Sequence, residues 1–360
     1  MTTIKNLLQK EDFTKEDLVF LLSVRGEEQQ LLFAAAKQVK EKYLGNVVYF
    51  RGLVEYSNRC NKNCYYCGIR MGNKQLDRYT VSDEEVLEAA RLVQGNRYGS
   101  MVLQSGECSG KAFVFRITRL IETIKQRSNN AIGITLACGE QSEETYRQWF
   151  EAGAHRYLLR IETSNEWLYK KIHPQNKRHD YSARLACLGL LRETGYQVGT
   201  GVMIGFPMQT VEHLAEDLLF FKQQDIDMVG MGPYLVHNDT PLASKQGNVP
   251  SLEERFHLSI NMIACLRLLM KDINIAASTA MQTLHPFGRE TAIEVGANIV
   301  MPNLTPTKYR ENYKLYENKP ALNENAEDTK KHLERQIKSI NHCIGYDDWG
   351  DSRHFHVRNS

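Results

Sequence analysis

Three of the eight cysteines, Cys60, Cys64 and Cys67, crowd into one polar segment, Ser57-Asn58-Arg59-Cys60-Asn61-Lys62-Asn63-Cys64-Tyr65-Tyr66-Cys67-Gly68. The spacing is C-x3-C-x2-C. Three thiolates on one tight loop can ligate three irons of a cubane cluster and leave the fourth iron open for a substrate or cofactor. Zinc also suits soft thiolates, but a structural zinc takes four protein ligands, usually as two separated pairs. No nearby Cys or His completes such a set. Three unligated buried cysteines would not explain the crowding. The expectation is one [4Fe–4S] cluster on Cys60, Cys64 and Cys67. The other cysteines, Cys108, Cys138, Cys187, Cys265 and Cys343, are scattered, unlike a disulfide framework. The pattern reads as a reduced compartment with a metal site. Cys108, Cys138, Cys187 and Cys265 read as small buried hydrophobes, with Cys108 set apart because it follows Glu107.

Three further segments carry chemistry. In Gln104-Ser105-Gly106-Glu107 a glycine turn precedes a carboxylate; an ordinary strand-to-helix turn gives the same letters. In Arg160-Ile161-Glu162-Thr163 the carboxylate can accept from a ribose or an ammonium group and the arginine can fork onto a carboxylate. A salt bridge at a barrel rim is the plainer alternative. Gly201-Val202-Met203-Ile204-Gly205-Phe206-Pro207 is an apolar strand ending in a turn. Arg184, in a later helical stretch, reads by default as part of a solvated face.

The elements that must position these residues follow from periodicity. Thr14 with Asp17 marks a helix start, followed by Leu18, Leu21 and Leu22. Glu27–Tyr43 puts Leu31, Leu32, Ala35 and Val39 on one helical face, and Gly45 ends it. Eight strands are predicted at Leu53–Tyr56, Ser100–Gln104, Ala131–Leu136, Arg156–Ile161, Val198–Ile204, Met228–Gly232, Ile273–Ser278 and Asn298–Met301. Helical patterns lie between them, near 83–94, 114–128, 142–152, 182–195, 210–224, 252–270 and 288–296. This βα order favours a parallel sheet closed by right-handed crossovers. Eight units match a TIM-type (β/α)8 barrel. An open doubly wound sheet usually has fewer strands and a glycine-rich loop after the first. The expected organisation is an N-terminal helical extension over 1–45, a barrel over 46–316, and a C-terminal linker with a final helix near 327–344 over 317–360. Barrel chemistry sits at the C-terminal ends of strands, where the cysteine loop, Gln104–Glu107 and Arg160–Glu162 all fall.

Composition excludes other classes. With 360 residues, 45 basic and 43 acidic, the net charge is +2, which gives no electrostatic argument for nucleic acid or a membrane surface. Met1–Phe13 has no signal-peptide core, and no run reaches the ~18 apolar residues of a membrane helix. A soluble, cytoplasmic protein is expected.

C-x3-C-x2-C with an aromatic directly before the last cysteine resembles the signature of the radical S-adenosylmethionine (SAM) superfamily. The resemblance implies that the amino and carboxylate groups of SAM chelate the open iron. One electron, from a reductant, then cleaves SAM to methionine and a 5′-deoxyadenosyl radical. By the same likeness Tyr66 packs near the adenine, though loop packing alone would also place it there. The resemblance assigns Gln104, Ser105, Gly106 and Glu107 to the SAM amino group, with Ser105 standing where the motif has its first glycine. Arg160, Glu162 and Arg184 complete the implied SAM-binding set.

Several segments are similar to the HydE family of [FeFe]-hydrogenase maturases. They are Arg51-Gly-Leu-Val-Glu-Tyr-Ser-Asn58, Val102-Leu-Gln-Ser-Gly-Glu107, Arg156-Tyr-Leu-Leu-Arg160, Asp227-Met-Val-Gly-Met-Gly-Pro233, His237-Asn-Asp-Thr-Pro-Leu242, Gly296-Ala-Asn-Ile-Val-Met-Pro-Asn303, and Tyr309-Arg310 with Tyr313 and Tyr316. The likeness spans most of 45–316. It implies assembly of the hydrogenase diiron subcluster from an organometallic iron–cysteine species bearing CO and cyanide, whose sulfur the adenosyl radical attacks, in company with other hydrogenase maturases. It also places Arg51, Gln104, Thr135, Arg156, Ser278, Thr279, Met301, Tyr313 and Tyr316 in the substrate cavity. Arginines and hydroxyl donors suit an anionic substrate; Thr135 and Met301 would equally serve as barrel filling. Two departures stand out. Residues 317–342 contain no cysteine and Cys343 stands alone, so no second Fe–S cluster is expected. Ile161 occupies a position where some relatives have histidine. Other readings are a methylornithine synthase, a biotin-synthase-like enzyme, for which Cys108 and Cys138 keep a place open, or a non-catalytic Fe–S or zinc scaffold.

Overall fold

A computed structural model describes residues 4–320, 322 and 326–360. The barrel strands are β1 (Val47–Ser57), β2 (Ser100–Ser105), β3 (Gly133–Ala137), β4 (Arg156–Leu158), β5 (Gln197–Thr200) with its continuation β6 (Met203–Ile204), β7 (Met228–Val229) with its continuation β8 (Gly232–Pro233), β9 (Asn274–Ile275) and β10 (Ile299–Val300). A last strand, β11 (Cys343–Ile344), follows the barrel. All pairings are parallel, in the order β10-β1-β2-β3-β4-β5-β7-β9. Ala276 bridges Ile299, and Ala277 donates to the Ile299 carbonyl at 2.8 Å, so the two ends of the sheet meet. The helices are α1 (Ile4–Leu7), α2 (Lys15–Ser23), α3 (Gly26–Leu44), α4 (Asp83–Gly95), α5 (Lys111–Arg127), α6 (Glu143–Glu151), α7 (Glu166–Ile172), α8 (Tyr181–Thr194), α9 (Val211–Gln223), α10 (Leu252–Leu269), α11 (Ala280–Leu284), α12 (Gly288–Val295), α13 (Thr307–Arg310), α14 (Ala326–Ser339) and α15 (Arg353–Arg358). The expected eight βα units are all present.

Alternation along β1 explains the layers. Val48, Phe50, Val54 and Tyr56 are buried on the helix side, where Phe50 meets Tyr98 edge-on at 5.4 Å. Arg51 and Glu55 are also buried, but face inward: Arg51 reaches across the ring to the Met228 sulfur at 3.3 Å. The hydrophobic core therefore lies between sheet and helices, while polar side chains line the interior.

Local chemistry sets the N-terminal helices. Thr14 and Asp17 form a reciprocal capping box at α2, and Gly45 caps α3 at φ 70°. The fully buried stripe of α3 is Gln29, Leu32, Ala36 and Lys40; of the predicted face Leu32 is buried, Ala35 and Val39 pack half-buried against the core, and Leu31 is exposed. Polar partners choose the face. Gln29 donates to Asn261 of α10 at 2.8 Å, and Lys40 donates to the Ile293 carbonyl at 2.6 Å.

Two strands are shorter or more broken than the periodicity predicts. The fourth stops at Leu158 and resumes only as an isolated parallel bridge from Glu162, at φ +67°, to Val202. The fifth breaks after Thr200, whose hydroxyl interposes itself at the Ile161 amide, 3.2 Å away.

The last segment is more than a linker and a helix. After α14, which ends at Ser339, β11 pairs with Val47 and Val48 at the start of β1. The chain then crosses the N-terminal ends of the strands. Gly350 O accepts from Arg51 at 2.9 Å and from Asn274 at 2.8 Å, and Asp351 pairs with Arg156. In α15, His354 lies between Asp225 at 2.6 Å and Asp272 at 3.1 Å. Interior arginines need partners, and the chain's own C-terminal segment supplies them.

Candidate active site

The loop after β1 presents Cys60, Cys64 and Cys67, all free thiols. Its path is fixed by two side chains. Asn58, fully buried, donates to the Asn312 and Asp77 carbonyls and accepts from the Tyr79 amide at 2.8 Å. Arg78 donates to four backbone carbonyls, those of Asn58, Ile69, Arg70 and Asn73, at 2.6–2.9 Å. Neither Arg78 nor this role of Asn58 is evident from the motif. Gly106 closes the loop against β2: a Cβ there would lie 2.3 Å from the Arg59 carbonyl and 2.8 Å from the Cys60 Cβ.

Burial pushes the Cys60 thiol up, pushes Cys64 up to about 12, and raises Cys67 well above its ordinary value; the neighbouring thiols add to the last two. Three half-buried cysteines whose thiolates would repel one another fit a cationic group that holds them in that form. The amides of Glu107 and Lys62 point at the Cys60 sulfur at 3.3 and 3.4 Å, as donors to a thiolate do. Among the described residues no three His, Cys, Asp or Glu side chains converge as the ligands of one ion. A cubane takes its thiolates on three different irons and needs no such convergence. The residues present fit the cluster.

Around this loop the strand ends bring the predicted residues together. Ser105 ends β2 and Glu107 follows it, with the Gln104 side-chain amide donating to the Tyr313 hydroxyl at 3.2 Å. Glu107 receives Lys62 at 3.0 Å, Arg184 at 3.5 Å and the Glu140 amide at 2.9 Å. Gly139, at φ +77°, leaves room for the Glu107 side chain: a Cβ would meet it at 2.2 Å. Glu140, beyond β3, in turn holds Lys62 at 2.7 Å and Arg184 at 2.6 Å. Arg184 is thus not on a solvated face; it is mostly buried, reaches from α8 into this quartet and donates to the Arg160 carbonyl at 3.3 Å. Arg160 forks onto Glu162 at 2.8 and 2.9 Å and also donates to Gly230 O and Val202 O. That grip holds Glu162 in its left-handed conformation, strain of the kind that collects at functional sites.

Tyr66 lies against an apolar cluster of Leu168, Ile172, Met203, Phe206, Tyr234 and Leu242. The Gly205-Phe206-Pro207 turn therefore supplies part of its surroundings. Its hydroxyl donates to His173 Nε2 at 3.2 Å, because His173 Nδ1 donates to the Tyr169 carbonyl at 2.9 Å. Burial lowers His173 to about 3, so it is neutral and can accept. His179 accepts from the Asn63 amide at 2.8 Å.

The predicted cavity residues divide. Arg51, Thr135 and Arg156 meet at the floor, where Arg156 Nε donates to the Thr135 hydroxyl at 2.9 Å. Arg51 Nε and Arg156 Nη2 are buried without a partner. Thr279 and Met301 line a cavity of about 290 Å3 with Leu53, Glu55, Asn303 and Lys319. Ser278 accepts from the Ala280 amide at 3.2 Å. Tyr313 and Tyr316 close over the interior; burial, and then the Glu55 carboxylate, raise both phenols. Lys319 pairs with Glu55. Cys138, Cys187 and Cys265 are buried; Cys108 is half-buried, its thiol 3.3 Å from the Arg59 carbonyl beside the cysteine loop. Cys343 is exposed in β11, and no helix among the described residues is long and apolar enough to cross a membrane. Lys62, Glu140, Arg78 and His173 were not singled out by sequence. For Glu140 a signal exists: Gly139-Glu140 ends a barrel strand, as Gly106-Glu107 does.

The radical SAM superfamily model matches residues 54–221. The [FeFe] hydrogenase maturase subunit HydE of Thermotoga maritima is 43% identical over 87% of this chain and 86% of its own length. The 3-methylornithine synthase of Methanosarcina acetivorans is 27% identical over 82% of this chain and 81% of its own. Among solved structures, methylornithine synthase superposes with a TM-score of 0.80 at 22% identity, covering 96% of this chain and 97% of that one; the maturase HydG gives 0.76 at 20%, covering 95% and 75%. These two likenesses establish the fold alone. With the cysteine loop at the C-terminal mouth of a TIM-type barrel and this identity across most of both chains, the chain belongs to the HydE family of radical SAM enzymes.

Proposed function

We propose that the chain acts in hydrogenase maturation on an organometallic Fe(CO)2(CN)–cysteine precursor of the diiron subcluster, together with other maturases and a one-electron reductant. The observation that carries this is the pair of buried arginines on the barrel floor. Arg51 and Arg156 bring two positive charges beside one carboxylate, Asp351, and each keeps an unpartnered N–H. His155 adds none, since burial lowers it to about 4. A buried net positive charge with orphan donors favours an anionic ligand.

When bound beside the cluster, SAM would supply a 5′-deoxyadenosyl radical on one-electron reduction. The residues of the rim bind and orient it. Cys60, Cys64 and Cys67 hold the cluster. The turn at Ser105, Gly106 and Glu107 and the side chains of Gln104 and Arg184 receive the amino-acid end, Glu162 gripped by Arg160 receives the ribose, and Tyr66 with its apolar neighbours receives the adenine. Tyr313, Tyr316, Ser278, Thr279 and Met301 enclose the space between rim and floor and exclude water from it. The test is an in vitro maturation assay with the partner maturases present. Active hydrogenase should appear only when this protein is added. No activity, from a protein that still cleaves SAM, moves the assignment to an amino-acid-forming enzyme like methylornithine synthase.

A further inference from the structure

We propose that Glu140 is a positioning residue for SAM, setting the direction of Arg184 and coupling that arginine, through Lys62, to the cysteine loop. This rests on the reading that Arg184 receives the SAM carboxylate. Arg184 comes from α8, outside the strand ends, and its long side chain needs a fixed partner to present its fork in one orientation. Glu140 Oε1 forms an ion pair with Arg184 Nε at 2.6 Å, a charge contact in which neither atom has a hydrogen-bond partner, while Glu107 Oε2 lies 3.5 Å from Arg184 Nη2. The closest charge contact is therefore to the inner nitrogen; of the terminal nitrogens, Nη1 donates to the Arg160 carbonyl at 3.3 Å and Nη2 has the longer contact to Glu107. The second oxygen of Glu140 takes Lys62 at 2.7 Å, between Cys60 and Cys64. Lys62 itself is held, donating to the Arg178 carbonyl and pairing with Glu107 at 3.0 Å. One carboxylate thus fixes a binding arginine and the cluster loop relative to each other.

The four side chains carry two positive and two negative charges and are largely buried, at 6–16% exposure. Charge balance explains why the set is tolerated in the absence of ligand. Without Glu140, the arginine's nearest remaining acid is Glu107. A guanidinium swung onto Glu107 would be paired with protein and turned from the ligand.

The experiment uses the anaerobically reconstituted full chain. SAM affinity is read from the change that SAM produces in the electron paramagnetic resonance signal of the reduced cluster, and iron content is measured in parallel. Glu140→Gln should weaken SAM by about 10-fold or more, the scale of losses when an orienting outer partner is removed, with iron content unchanged. Glu140→Asp should recover part of that loss. Arg184→Met should weaken SAM at least as much, and the double variant no further than Arg184→Met alone, because Glu140 acts through Arg184. An Arg184→Met protein with unchanged affinity would remove the reading of Arg184 itself. If Arg184→Met weakens SAM but Glu140→Gln does not, the inference alone fails. It also fails if Glu140→Asp is as weak as Glu140→Gln, if the two losses add fully, or if iron is lost in step with affinity.

Discussion

The two ends of the barrel handle buried charge differently. At the C-terminal rim, Lys62, Glu107, Glu140 and Arg184 neutralise one another across four separate elements, and Arg160 holds Glu162 in a strained conformation. At the floor, Arg51 and Arg156 are met mainly by the chain's own C-terminal segment, through Gly350, Trp349 and Asp351. The rim is organised by side chains at strand ends, the floor by a return of the chain. A fault at the rim should therefore change cluster and SAM binding, and a fault at the floor should change stability and the seat of the anionic substrate.

The largest effect expected from breaking this contrast is at the floor. Asp351→Asn removes the carboxylate beside two buried arginines, and breaking a buried pair costs about 3–5 kcal/mol. Denaturant unfolding should show that loss while SAM affinity stays at the wild-type level; a stable variant that fails to bind SAM would reverse the contrast. Next is Arg78→Met at the rim. It leaves four loop carbonyls without their donor, and unsatisfied buried groups cost about 1–3 kcal/mol each; the loop can relax toward water, so about 2 kcal/mol overall is expected. Iron retained per chain after gel filtration should fall well below that of the wild type, because the loop that spaces the cysteines is no longer fixed. Full iron retention would mean that Arg78 does not shape the loop.

The smallest effect is a pH dependence at the floor. The hydrogen bond to Asp272, then that to Asp225, raise His354 to about 9 from an ordinary 6.5. The folded protein holds this proton more tightly than the unfolded chain does. Its contribution is whole below pH 6.5 and disappears as pH rises through about 9. A shallow fall in melting temperature over that window, absent in His354→Ala, is expected. An identical fall in both proteins would assign it to another group.

What the sequence reveals follows the same division. The cysteine loop, Gln104–Glu107 and Arg160–Glu162 are legible because their chemistry is local and falls at the ends of periodic strands. The βα rhythm is legible because each strand is buried on both faces. From the residues alone, without the family resemblance, Arg184 reads as part of a solvated face, because its carboxylate partners follow strands forty and more residues earlier. Lys62 lies inside the motif, yet nothing in it distinguishes a buried lysine from a solvated one. The C-terminal closure is hidden for the same reason: Arg51 and Asp351 are 300 residues apart. On α3 periodicity finds Leu32 but not the buried Gln29 and Lys40, which are held by hydrogen bonds that hydrophobic periodicity does not register.

The cysteine loop as the seat of a single-site cluster chemistry is tested most directly by anaerobic reconstitution of the wild type beside Cys60→Ala, Cys64→Ala and Cys67→Ala, with Cys108→Ala as the control. Iron content and the release of 5′-deoxyadenosine on reduction with SAM present would be measured together. The wild type and Cys108→Ala should carry about four irons per chain and release 5′-deoxyadenosine, and each of the three loop variants should release none. A colourless zinc-loaded wild type, or a Cys64→Ala protein that still cleaves SAM, would contradict the assignment of the loop.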